Sequence, residues 1–398
     1  MTPHALPDEP LPPGPDSLRA LPRDARLEST LALRRDPYGF IAATCRALDS
    51  DVFEARLLLR RTVCMSGPEA ARLFHQGSLF ERACAVAPAA CTQRLAELAE
   101  QGWRRAARDW TCSARVELYT QARAILCRSA CAWAGVPLRE DEVALRAAQI
   151  GALDESDGPF GLVRWTTRLA RWRAQRWAAG LVRAIRARTL PVAPECAAAQ
   201  VALQRDARGA LPGERRAALE LLDLLRPTLG IAVNMVFVAL ALHEYPECAR
   251  KLREDASGRY AHWFAQEVRR FYPFFPAAAA RVRQGFTWNG YRFEAGRPVL
   301  LDVHGTNHDE RAWVEPGEFL PERFAAWPFE AYPLADGGMA LSLMAAFARF
   351  LARELAYELP PQDLRVDGAR LPALPRSRFM MGNVRLRAVA PSNQKVPG

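Results

Sequence analysis

Residues 262–276 read HWFAQEVRRFYPFFP. Glu267 and Arg270 stand three apart, so a helix carries both on one face, where opposite charges attract. Pro273 cannot continue that helix and closes it. Downstream, residues 317–324 read GEFLPERF and bring a second arginine, Arg323. Between the two, residues 285–313 read GFTWNGYRFEAGRPVLLDVHGTNHDERAW. That pattern predicts a strand, an Asn289–Gly290 hairpin turn, a second strand and then a third.

Upstream, residues 213–246 read GERRAALELLDLLRPTLGIAVNMVFVALALHEYP. This is the longest periodic element, about 50 Å if wholly helical. Its second half is apolar on nearly every face and should lie in the core. Pro227 should kink it or open its hydrogen-bond ladder. Arg226 stands beside that proline. A buried arginine needs an anionic partner, which is either a structural ion pair or a substrate carboxylate matched to the guanidinium fork. Residues 51–74 read as a strand pair and a helix begun by Ser66-Gly67-Pro68. Residues 92–110, 115–135 and 161–188 have the apolar spacing of amphipathic helices. Trp165, Trp172 and Trp177 lie in the last of these and are expected as core or interface anchors.

Half of the 398 residues are apolar, enough for a sizeable core, and no run of about 18 apolar residues free of charge predicts a membrane span. The net charge is +10, but only Lys251 and Lys395 are lysines. The arginines are scattered along helices, which argues against a nucleic-acid surface. Nine cysteines at 45, 64, 84, 91, 112, 127, 131, 196 and 248 form no CxxC; an odd, scattered set is what a reducing cytoplasm allows. The 150 residues after Cys248 contain none. Residues 1–24 are rich in proline and predict a flexible lead-in. Residues 25–390 show no composition break and predict one domain, and 391–398 a flexible tail. No P-loop, dinucleotide fingerprint, HExxH or G-x-S-x-G occurs.

Glu267-x-x-Arg270 followed by GEFLPERF resembles the cytochrome P-450 superfamily. There the helix glutamate and arginine pair with the arginine of the later motif, here Arg323, in a structural triad. LLDLLRPTLGIA, EVRRFYPFFP, LLDVHGTNHDERAW and ARLPALPRSRFMM narrow the resemblance to the bacterial fatty-acid peroxygenases and decarboxylases, over about residues 50 to 388. In that branch an Arg-Pro pair in the central helix binds the fatty-acid carboxylate over the haem. The resemblance therefore implies that role for Arg226 and Pro227.

Two departures stand out. The family places a glycine-rich loop with the haem-ligating cysteine before the last long helix, whereas here PERFAAWPFEAYPLADGG runs directly into MALSLMAAFARFLAREL. Met339 offers only a thioether, and no histidine follows His308. Earlier, SLFERACAVAPAACTQRLAEL lacks the family's loop and helix over the haem. Of the remaining acid/base groups, Asp302, His304, His308 and Asp309 follow the last strand and read mainly as structural, and His243 reads as a helix cap.

The sequence thus predicts a mainly α fold with small β-sheets, cytochrome P-450-like, with two deletions around the haem site. It predicts no haem and no metal, and a small acyl or polyketide-like substrate held by Arg226 and Pro227. The reaction expected is a non-redox step (cyclisation, dehydration or isomerisation) in specialised metabolism, with Arg226 as anchor or electrophile and His304 as a further catalytic candidate. The alternatives are a non-catalytic binding or partner protein, and a haem-dependent fatty-acid hydroxylase or peroxygenase whose iron ligand the motifs do not reveal.

Overall fold

The computed structural model describes residues 19–82, 89–156, 165–206, 208–326, 337–368 and 371–387. The tail at 391–398 and most of the proline-rich lead-in lie outside them, as do residues 83–88 and 327–336, where the sequence reading expected the two deletions. Residues 19–24 already run beside the fold: Glu54 N donates to Pro22 O at 2.7 Å and Asp24 N to Glu54 O at 3.0 Å.

Two short helices, α1 (Thr30–Arg35) and α2 (Phe40–Ala47), precede the hairpin β1 (Val52–Leu57) and β2 (Arg60–Met65). Helix α3 (Pro68–Phe74) begins with its proline in the first turn, where a missing N–H costs nothing. Strand β3 (Phe80–Arg82) leads to α4 (Ala89–Trp110), β4 (Val116–Glu117), α5 (Leu118–Ala134), α6 (Val143–Ser156), α7 (Trp165–Arg186) and α8 (Ala197–Leu203). The long helix follows as α9 (Glu214–Glu244), then α10 (Pro246–Glu254) and α11 (Arg259–Phe271). Strands β5 (Ala277–Val282), β6 (Phe286–Trp288), β7 (Tyr291–Phe293) and β8 (Pro298–Asp302) come next, and then α12 (Val303–Asn307), α13 (Arg323–Ala326), α14 (Gly337–Glu354), β9 (Leu355–Glu358) and β10 (Met380–Leu386).

The largest sheet has the order β1-β2-β8-β5-β3, with β2 and β8 parallel and the other pairs antiparallel. A second sheet is β4-β10-β9, and β6-β7 is a separate hairpin. Asn289 and Gly290 turn that hairpin with φ of 48° and 76°, the left-handed values such a turn demands.

The fold is built around α9. Its first half, from Ala217 to Leu229, packs into a cluster with α5, α6, α7 and α8; its second half, from Ile231 to Leu242, packs against α4, α5, α11 and α14. Among the described residues α9 is the one helix long and apolar enough to span a membrane, but 78% of its most apolar window is buried inside the protein. The element is apolar because it is enclosed by other helices. It runs unbroken through Pro227, where the sequence predicted a kink or an opened ladder. The ring still removes one N–H, so the ladder loses a single donor at that turn.

Candidate functional site

Glu267, Arg270 and Arg323 are brought together beneath the segment that follows β8. Helix α11 places Glu267 and Arg270 with no exposed side-chain surface, and Arg323 enters from the start of α13. Arg270 donates through Nε and Nη2 to the two Glu267 oxygens, both at 2.8 Å. Its remaining N–H groups reach the carbonyls of Asn307, Pro316 and Glu318 at 3.0, 2.8 and 2.9 Å. Arg323 Nε donates to Glu267 at 3.2 Å, and Leu320 N to the same carboxylate at 2.8 Å. One carboxylate and two guanidinium forks thus hold an irregular stretch of chain, 307–323, against α11. Every donor faces inward to a backbone carbonyl or a carboxylate, so the arrangement positions backbone.

The acid/base candidates after β8 separate by environment. Asp302 caps α12: its Oδ1 accepts from Gly305 N at 2.7 Å and its Oδ2 from Ser66 Oγ at 3.4 Å. Complete burial pushes its carboxyl up to about 7. His304 lies edge-on to Tyr38, with ring centroids 5.4 Å apart, and 4.4 Å from the His308 ring. Burial, with His308 and Arg270 nearby, pushes its imidazole down to about 3. At neutral pH His304 is an uncharged ring, too weakly basic to take a proton readily. His308 Nδ1 is 2.9 Å from the His304 carbonyl oxygen. Asp309 is partly buried and pairs with Arg311, which also bridges to Asp51. His243 is exposed in the last turn of α9. Trp177 packs against the α9 cluster, whereas Trp172 is 52% exposed and anchors no core; the Trp165 side chain lies outside the described residues.

Arg226 belongs to the first half of α9. Its side chain is 21% exposed, and Nη2 lies 3.8 Å from Asp223 Oδ1, whose own side chain is 64% exposed. A guanidinium therefore sits mostly enclosed at the boundary between the two apolar clusters, beside a proline that leaves one helix carbonyl without its usual donor. Immediately beyond, Thr228 Oγ1 lies 3.9 Å from Met339 Sδ, at the start of α14. The sequence reading singled out Met339 and missed this contact, because the faces that α9 and α14 turn to one another are not marked in either segment.

The family pattern described as "Cytochrome P450" matches residues 234–326. Among curated proteins, "Ent-kaurene oxidase-like 5" of Oryza sativa subsp. japonica is 30% identical over 138 residues, 29% of this chain and 27% of the rice protein. The chain thus spans about a quarter of that relative. Solved structures match over far more. Cytochrome P-450SP alpha (CYP152B1), in complex with (R)-ibuprophen, is 37% identical with a TM-score of 0.80, over 91% of this chain and 100% of the other. Cytochrome P-450EX alpha (CYP152N1), with myristic acid, is 31% identical with a TM-score of 0.82, over 93% and 100%.

These relatives are haem-containing cytochromes, which overturns the expectation that the chain has no cofactor: haem is the cofactor its family points to. The expectation rested on a missing ligand. A cysteine thiolate does not fit the residues at hand. No cysteine follows Cys248. Among the described residues no group of three or more His, Cys, Asp or Glu could hold a metal. Thr228 and Met339 already touch where α9 meets the start of α14.

Proposed function

Because this chain belongs to the cytochrome P-450 superfamily and matches its fatty-acid-oxidising branch along nearly its whole length, we propose that it binds a long-chain carboxylic acid, with Arg226 clamping the carboxylate, and serves haem-dependent fatty-acid oxidation. The observation that carries this reading is the placement of Arg226. Its side chain is 21% exposed on an apolar helix, next to Pro227, and a guanidinium fork matches the geometry of a carboxylate.

Haem, when bound, would supply hydroxylation or peroxygenation, as in this family; no cysteine of the last 150 residues is present to ligate its iron. What the chain's own residues contribute is recognition. Arg226 fixes the acid end, and Glu267, Arg270 and Arg323 keep the 307–323 segment in place.

Purified full-length protein, produced with ample haem precursor, is assayed for a Soret band and iron. It is then titrated with myristate as wild type, Arg226→Ala and Arg226→Lys. The expected outcome is one haem per chain and at least a tenfold loss of myristate affinity in Arg226→Ala, with Arg226→Lys between the two, since a point charge replaces a fork. Unchanged affinity in Arg226→Ala would refute the clamp. Absence of haem would refute the cofactor.

A further inference from the structure

Four leucines project from the segment around α1 and from the β1–β2 hairpin, elements that carry neither Arg226 nor the triad. Leu27 is 91% exposed and Leu31, in α1, is 66% exposed. Leu58 and Leu59 form the exposed turn of the hairpin. Hydrogen bonds tie the two pairs together. Leu58 N donates to Glu28 Oε1 at 3.1 Å and to Thr30 Oγ1 at 2.7 Å, and Ser29 N to Arg56 O at 2.8 Å. Residues 27–31 therefore lie along the hairpin tip. Leu58 and Leu59 adopt φ of 50° and 61°, where leucine is disfavoured. Single exposed leucines call for no explanation, but an apolar cluster at one tip does. Neither burial nor backbone preference supplies one here.

The charges around the tip show one sign to solvent. The Asp24 and Glu54 side chains are only 5% and 12% exposed, the first held by Arg26 and the second by Arg23, Arg61 and Arg297. Glu28 turns its carboxylate to the Leu58 and Leu59 amides. Arg34, one helical turn after Leu31, and Arg56 and Arg60, beside the turn, are exposed and enter no ion pair among the described residues. Leu27, with almost nothing around it, belongs to a projection and not to a groove. A second copy of the chain would set the same arginines against one another. An anionic lipid surface suits both parts: leucines enter the acyl boundary while guanidinium groups meet the head groups. We propose that this tip docks the protein on the surface of an anionic bilayer. The docking stands whether or not Arg226 binds a carboxylate.

Full-length protein is sedimented with phosphatidylcholine vesicles that contain or lack phosphatidylglycerol. Wild type is compared with Leu27→Ser/Leu31→Ser, Leu58→Asn/Leu59→Gly and Arg56→Gln/Arg60→Gln, after thermal melting shows each is folded. Two control pairs lie elsewhere: Leu169→Ser/Trp172→Ser on α7 and Arg105→Gln/Arg108→Gln on α4, all four residues exposed. The expected result is wild type bound to the phosphatidylglycerol vesicles, with binding weakened about tenfold or more by each leucine pair and by the tip arginine pair. The control pairs should bind as wild type does. Wild type that stays in solution overturns the proposal, and so do leucine variants that bind undiminished. An Arg105/Arg108 pair as damaging as Arg56/Arg60 also overturns it, since the net charge of the chain would then account for the attraction. Self-association of wild type that the leucine variants lose, without vesicle binding, overturns it in favour of a second copy.

Discussion

A guanidinium with no exposed surface depends entirely on the groups around it. Arg270 has Glu267 and three backbone carbonyls. Replacing it with methionine removes its donors from the Asn307 and Pro316 carbonyls and leaves Glu267 with Arg323 and the Leu320 amide. Breaking a buried pair from one side costs about 3–5 kcal/mol. Arg270→Met should lower the denaturant midpoint by an amount in that range, and a loss below about 1 kcal/mol would mean the segment is held by something else. Asp302 makes a prediction in pH. Its carboxyl is raised by burial to about 7. Between about pH 4 and 7 the folded chain holds a proton that the unfolded chain has released. Stability therefore falls with rising pH across that window, by about 1.4 kcal/mol per pH unit, and is level above it. His304, held neutral by burial, works the other way and loses stability as pH drops below its ordinary range. The measurement is therefore a comparison: the melting temperature of wild type minus that of Asp302→Asn, from pH 4 to 8. The histidine contribution cancels. The difference should shrink or reverse as pH rises, and a flat difference would show Asp302 titrating normally.

Among the elements, the β1–β2 hairpin closes on a turn that its residues do not favour. Leu58 and Leu59 adopt φ of 50° and 61°, where a Cβ is crowded, and are 48% and 80% exposed. What holds them is polar: Leu58 N donates to Thr30 Oγ1 at 2.7 Å and Leu59 N to Glu28 Oε2 at 3.2 Å. Leu58→Asn with Leu59→Gly supplies residues suited to a two-residue turn and should stabilise the protein by about 1 kcal/mol, read as a higher melting temperature. A lower one would show that the leucine side chains contribute packing. This hairpin also shows how far the sequence could be read. The paired strands were legible from their pattern, and the β6–β7 turn from Asn289–Gly290. The Leu58–Leu59 turn carries no such mark, because a side chain and an amide 28 residues apart hold it. The Glu267–Arg270 pair was legible from the helix spacing, and Arg323 was expected beside it only through the family resemblance. The leucine tip was not legible, since residues 27–31 and the hairpin turn meet only once the chain is folded.

At the scale of the whole molecule, the sequence contained the fold and the family but misled on the cofactor. A ligating cysteine is one residue and can be counted along the sequence, whereas kinship with haem proteins rests on the match of the whole fold. The packing of α9 argues for a single cooperative unit. The two largest clusters share α9, the first half in one and the second half in the other, so neither can loosen without disturbing the helix that builds both. Phe237 lies fully buried in the second half, stacked on Tyr272 at a centroid distance of 5.0 Å. Phe237→Ala should cost about 3–5 kcal/mol through lost burial and the cavity left behind. The informative observation is where the loss appears. Trp103 reports on one cluster and Trp177 on the other. Single-tryptophan variants retaining one or the other should unfold in urea at one midpoint, and Phe237→Ala should lower both by the same amount. If the Trp103 signal moves while Trp177 stays, α9 does not transmit the damage and the halves unfold independently.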